Sequence, residues 1–425
     1  MTAWYDKATF YHMYPLGMTG APFANPYPVS NGTADGTNRD VSADSRMDEL
    51  MLWIPYLESL HISAIYIGPL FESSTHGYDT RDFRLIDRRL GTNGSFRSFV
   101  DCCHEHGIRV VVDGVFNHTG REFFAFRNLQ AHRDQSPYAG WYRNVNFGWG
   151  SPQMLHSVTN YEMHKSIYSA HNDHNYFELA HNVRRLEAVG RDLYTFVDNH
   201  DEDRIASKLL NPAHLAPLYT LLFTLPGIPS IYYGSEWGIQ GRRGHNSDTE
   251  LRPRILPPRP LAEEMQTSDG QNTGIRTNGN CQSFSSATGT NIHAGANTCC
   301  QTSSSTTDSN TDTNAGTVTP LTLLIQKLAA IHAAEPALHG GRYQELLLTN
   351  RQYAFARHGD HQAILTAANN DDNAAYLQVP LPFHTTAEQA TDLITGKSFL
   401  IDKNTNKIQI ELEGNSAVIL GITEG

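Results

Sequence analysis

Long apolar runs, basic stripes and paired-cysteine motifs are all scarce in this 425-residue chain, and each shortage excludes something. No stretch approaches the roughly 20 apolar residues that a membrane-spanning helix needs, so no membrane span is expected. Against 44 Asp and Glu stand only 32 Lys and Arg. The resulting formal charge of -12 works against a nucleic-acid or anionic-membrane partner. The opening MTAWYDKATFYHMYPLG has no basic segment followed by an apolar run. No signal peptide is therefore expected, and the cytoplasm is the expected compartment. The five cysteines comprise two adjacent pairs, Cys102 with Cys103 and Cys299 with Cys300, plus Cys281. An odd, clustered set fits poorly with a secreted disulfide framework, and CxxC spacing is absent. Cys103 falls at helical spacing behind Phe96, Phe99 and Val100, where core packing is its expected job.

What is present supports real cores: 39 % of the residues are hydrophobic, and the length calls for one large domain with at least one smaller one. ISAIYIGPL (62–70) and IRVVVD (108–113) are nearly continuous apolar runs, the mark of parallel strands covered on both faces. SFRSFVDCCHEHG between them has helical spacing with Gly107 as a stop, and SRMDELMLWIPYLESLH puts Leu50, Met51, Ile54, Leu57 and Leu60 on one face. This is a βαβ rhythm. FYHMYPL (10–16), HSVTNYE (156–162), LYTFVDNH (193–200) and GIPSIYYGSE (227–236) read as four more strands. All six end in polar residues, as the strands of a TIM-type (β/α)8 barrel do where its site is built. The spacing is too short, however, for a complete barrel. Such a barrel spends roughly 30 residues per βα unit, so three steps from the third strand to the sixth need on the order of 90. Asp113 and Ser157 are 44 positions apart. Two units are missing by this reckoning.

The residues here resemble the α-amylase family of glycoside hydrolases, especially its cytoplasmic maltodextrin-degrading members. HGYDTRDF with IDRRLGTNGSF resembles the second barrel loop, which implies that Tyr78 stacks on a sugar ring. VVVDGVFNH resembles the family's first conserved region at Asp113, Asn117 and His118, implying a substrate-binding histidine with Asp113 and Asn117 as structural residues of the site. TFVDNHD resembles the fourth region, implying that His200 binds substrate and that Asp201 is the catalytic residue that stabilises the transition state. GIPSIYYGSEWG resembles the eighth strand. The implied activity is retaining hydrolysis of α-1,4-glucans, with an α-glucan oligosaccharide as the molecule bound and no cofactor. A calcium ion at Asn117 has no acidic cluster to support it.

The departures from the family are two. Its nucleophilic aspartate in a G-x-R-x-D pattern, and its general-acid glutamate, are not found; the break falls near Pro152 and Gln153. Retaining glycosidases need two carboxyl groups about 5 Å apart, so impaired activity is expected, with a non-catalytic α-glucan-binding protein or a decayed gene copy as the alternative. Six strands cannot keep the tilt and shear of eight, so the sheet stays open or closes around a gap. The second departure is residues 266–319, rich in Ser, Thr, Asn and Gly, which read as a disordered insertion. The expected layout is a barrel over 1–265, that insertion, a last barrel helix at 320–340 and an all-β sandwich at 341–425. Glu236, Asp192 and Glu178 are weak substitutes for the lost carboxylates. Asp201 with His200, Asn117 with His118, and Tyr78 each also have a plain reading as a turn cap, a loop cap and a half-buried loop aromatic. A metal-dependent hydrolase using His118, Asp198, His200 and Asp201 lacks the convergent ligand spacing that a catalytic zinc wants.

Overall fold

Every residue of Phe10–Met13 (β1) is buried, and a strand of that kind needs cover on both faces and both edges. The computed structural model describes residues 3–28, 45–142, 159–187, 193–244, 248–261, 316–359 and 362–423. Along the chain follow Ala64–Ile67 (β2), the hairpin of Phe71–Ser73 (β3) and Thr80–Ile86 (β4), Arg109–Val112 (β5), Tyr194–Phe196 (β6) and Ile228–Tyr232 (β7). Five of these form one parallel sheet in the order β5-β2-β1-β7-β6. Phe10 pairs with Ala64 on one side and Ser230 on the other.

The predicted strand HSVTNYE is corrected at its end. Residues 156–158 lie outside the described residues, Thr159 makes a single parallel bridge to Tyr194, and Tyr161–Asn172 is a helix. Asn160 explains the switch, because its side chain accepts a hydrogen bond from the Met163 amide and caps that helix. The sheet thus runs from β5 to Thr159 without closing among the described residues. The break expected near Pro152 and Gln153 lies outside the described residues, as do Asp192 and nearly all of the 266–319 insertion.

Thr319 caps the helix Pro320–Ala334 through a reciprocal pair of side-chain bonds with Thr322. The chain then builds Arg342–Leu348 (β8), Gln352–His358 (β9), Gln362–Asn369 (β10), Ala375–Pro380 (β11), Gln389–Asp392 (β12), Ser398–Asp402 (β13), Lys407–Leu412 (β14) and Ser416–Thr423 (β15). These join as one antiparallel sheet, β11-β14-β13-β12-β15-β10-β9-β8, curled so that β11 approaches β8 around a core of its own. The C-terminal sheet and the parallel sheet belong to one compact unit. Tyr176 and Tyr353 meet at their joint, with ring centres 5.7 Å apart. Cys102 and Cys103 are free and buried. Among the described residues no helix is long and apolar enough to cross a membrane.

Candidate active site

The C-terminal ends of β1, β2, β5 and β6 bring the candidate side chains together. Asp113 follows β5, and its approach to β2 needs a glycine there: a Cβ on Gly68 would lie 2.0 Å from that of Asp113. Tyr78, from the β3–β4 loop, donates its hydroxyl to Asp113 Oδ2 at 3.0 Å and lies 2.8 Å from His200 Nε2. The Tyr78 and His200 rings stack, with centres 5.4 Å apart and an interplanar angle of 26°. His200 Nε2 is also 3.1 Å from Asp201 Oδ2.

Asp201 is gripped from the other side by Arg252. Arg252 Nη2 lies 2.9 Å from Asp201 Oδ1 and 3.1 Å from Asp248 Oδ2, and its Nε donates to the His200 carbonyl at 3.0 Å. The Arg252 guanidinium also sits 4.8 Å over the ring of Tyr14. The hydrogen bond from His200, reinforced by Arg252, holds the Asp201 carboxyl down at about 2, so it is ionised at neutral pH. Burial raises the Tyr14 phenol to about 12, and burial with the neighbouring Asp113 raises that of Tyr78 as well. Both tyrosines stay neutral donors.

These groups line a cavity of about 800 Å³, walled by Tyr14, Leu16, Phe23, Tyr78, Asp201 and Arg252. Aromatic rings beside an ionised carboxylate and a guanidinium suit a ligand with apolar faces and hydroxyl edges. Among the described residues the carboxylates on this wall are Asp201 and Asp248, and both bind the same arginine nitrogen. Neither is placed as a spare proton donor.

The remaining sequence candidates lie elsewhere. Asn117 and His118 are exposed, and His118 Nε2 contacts the Tyr78 carbonyl at 3.0 Å without reaching the cavity wall. Asp198 is buried, accepting from the Ile205 amide and the Ser235 hydroxyl, each at 2.8 Å. It therefore does not converge with His118, His200 and Asp201, and among the described residues no cluster of three or more such side chains could hold a metal. Glu236 is fully buried away from the cavity, accepting from Tyr11 at 2.7 Å and Tyr56 at 3.1 Å, and desolvation raises it to about 7. Glu178 pairs with Lys165 on the surface.

Sequence reasoning missed Tyr14, Asp248 and Arg252. A signal existed: NSDTELRPR, directly after the strand-8 motif, spaces Asp248 and Arg252 four apart.

Residues 37–181 and 144–339 match the family described as "Alpha amylase, catalytic domain". Neopullulanase 2 of Thermoactinomyces vulgaris is 36 % identical over 162 residues, 37 % of this chain and 27 % of that protein. A cyclomaltodextrinase of a Bacillus species is 34 % identical over 144 residues, 33 % of this chain and 25 % of that protein. Over these matches the chain spans about a quarter of the length of the curated relatives. Among solved structures, an Anoxybacillus alpha-amylase superposes with a TM-score of 0.68 at 16 % identity, over 100 % of this chain and 99 % of that one. A cyclomaltodextrinase superposes with a TM-score of 0.67 at 18 % identity, over 99 % of this chain and 79 % of that one. Likeness at these identities speaks for the fold.

Proposed function

Because the chain belongs to the alpha-amylase catalytic-domain family, we propose that its cavity is a subsite for an α-1,4-linked glucan oligosaccharide and that its hydrolytic power is impaired. The observation that carries this reading is the grip on Asp201. An ionised carboxylate, fixed by His200 on one oxygen and Arg252 on the other, lines a cavity with Tyr14 and Tyr78. Such a group accepts hydrogen bonds from sugar hydroxyls and strengthens that hold as positive charge develops on the ring. The relatives named neopullulanase and cyclomaltodextrinase point the choice of ligand to α-glucans.

What supports the impairment is the state of the carboxylates that line the cavity among the described residues. Retaining cleavage asks one carboxyl to attack and a second, with a raised pKa, to protonate the leaving oxygen. Asp201 is held low, and Asp248 is tied to Arg252 and Arg243. The chain is then an α-glucan binder with little turnover.

The test is release of reducing sugar from maltoheptaose beside calorimetric binding of the same sugar, for the unsubstituted chain and for Asp201→Asn. Binding that weakens in Asp201→Asn, with no sugar release above that variant, is the expected result. Robust release that disappears in Asp201→Asn would overturn the impairment and make Asp248 the first carboxyl to examine. Absence of binding would overturn the subsite itself.

A further inference from the structure

Tyr78 has one hydroxyl proton and two partners. Asp113 Oδ2, an acceptor, takes it at 3.0 Å, so the phenol oxygen must accept from His200 Nε2 at 2.8 Å. Asp201 Oδ2 at 3.1 Å is a second acceptor facing the same nitrogen. A hydrogen on His200 Nε2 is thus demanded from two sides, and in a neutral ring Nδ1 then carries a lone pair. That Nδ1 is buried and has no hydrogen-bond partner among the described residues.

A donor for it stands next door. His12, on β1, is 4 % exposed, and its ring lies 5.2 Å from that of His200 at 88°. Its Nε2 is likewise buried and unpartnered. The rings packed around His12 are Tyr66 at 4.7 Å and Tyr232 at 5.1 Å, and their hydroxyls are committed, Tyr232 to the Leu251 carbonyl and Tyr66 to Asp113. Two buried nitrogens on adjoining rings are each left in need of a partner, and one water between them would satisfy both.

We propose that His12 is a positioning residue for His200: its Nε2–H reaches His200 Nδ1 through one buried water and locks His200 in the Nε2–H tautomer. This rests on reading the cavity as an α-glucan subsite, because the locked tautomer keeps Tyr78 and Asp201 in place for the sugar. Without the lock, Nδ1–H competes, and Nε2 turns a lone pair toward the Asp201 carboxylate. Burial, with His200 nearby, keeps His12 neutral, as a donor with one proton requires.

The experiment is ¹⁵N-edited NMR of the histidine rings of the full chain, with maltoheptaose affinity by calorimetry, for the unsubstituted protein, His12→Phe and His12→Gln. The expected result is an Nε2–H His200 in the unsubstituted protein, a shift toward Nδ1–H in His12→Phe, and an affinity loss of about tenfold. His12→Gln, which keeps a donor, restores both. An Nδ1–H His200 in the unsubstituted protein overturns the proposal whatever the variants do. So does an unchanged tautomer in His12→Phe, or an equal affinity loss in both variants. Failure of the unsubstituted chain to bind maltoheptaose defeats the α-glucan reading instead, while the tautomers still decide the role of His12.

Discussion

β1 and β5 belong to one parallel sheet with a single strand between them, yet they live in different surroundings. β1 has a strand on each edge, and near it Tyr11, Trp53, Tyr56 and Trp237 interlock with ring centres 5.6–6.3 Å apart. β5 has β2 on one edge and no strand on the other among the described residues. Its ends, Arg109 and Val112, are exposed, and Phe116 just beyond is 75 % exposed. A parallel strand is made of side chains that want cover on both faces, so β5 is a strand with one edge uncovered among the described residues. The difference carries over to the site. Asp201, Arg252 and Tyr14 sit at the covered part of the sheet and hold one another, whereas Asn117 and His118 follow β5 and remain exposed.

Three measurements sharpen or break this contrast. Trp53→Ala, in the interlocked cluster, is expected to cost about 3–5 kcal/mol in denaturant unfolding through the cavity it leaves. A cost under 1 kcal/mol would mean that the covered part is no better packed than the edge.

Glu236 comes next, since the same cluster buries it. Its pKa rises from 4.5 to about 7 on folding, so the folded chain binds more protons than the unfolded chain between those values. Stability therefore falls as pH rises through that window, by an amount on the order of 3 kcal/mol, and is flat above it. Glu236→Gln removes that slope and is more stable than the parent at pH about 8. Melting curves at several pH values check this, and a parental slope that survives the substitution refutes it. Asp201 behaves oppositely. Its carboxyl is lowered from 3.8 to about 2, so its stabilising contribution is present above the unfolded value and lost as pH falls toward 2.

The smallest effect is expected at the edge: Val112→Thr should change unfolding free energy by about 0.5 kcal/mol or less. A loss several times larger would show that β5 is covered in solution.

The strands were legible because apolar runs such as AIYI and IPSIY announce burial on both faces without reference to anything distant. Tyr78 and Asp201 were singled out through local motifs for the same reason. The end of HSVTNYE misled because the extended pattern and the cap at Asn160 share the same few residues, and the cap wins. Glu236 gave no sign of its burial, since a glutamate after a strand looks the same whether it faces a cavity or a ring of tyrosines.

By itself the sequence determined the parallel strands and the family, both carried by runs and motifs of neighbouring residues. Only the tertiary structure decided that Arg252 bridges Asp201 and Asp248, that His12 lies beside His200, and that Asn117 and His118 stay outside the cavity. Those facts depend on which strand ends meet, and burial and charge act through space, across separations such as the 51 residues between Asp201 and Arg252.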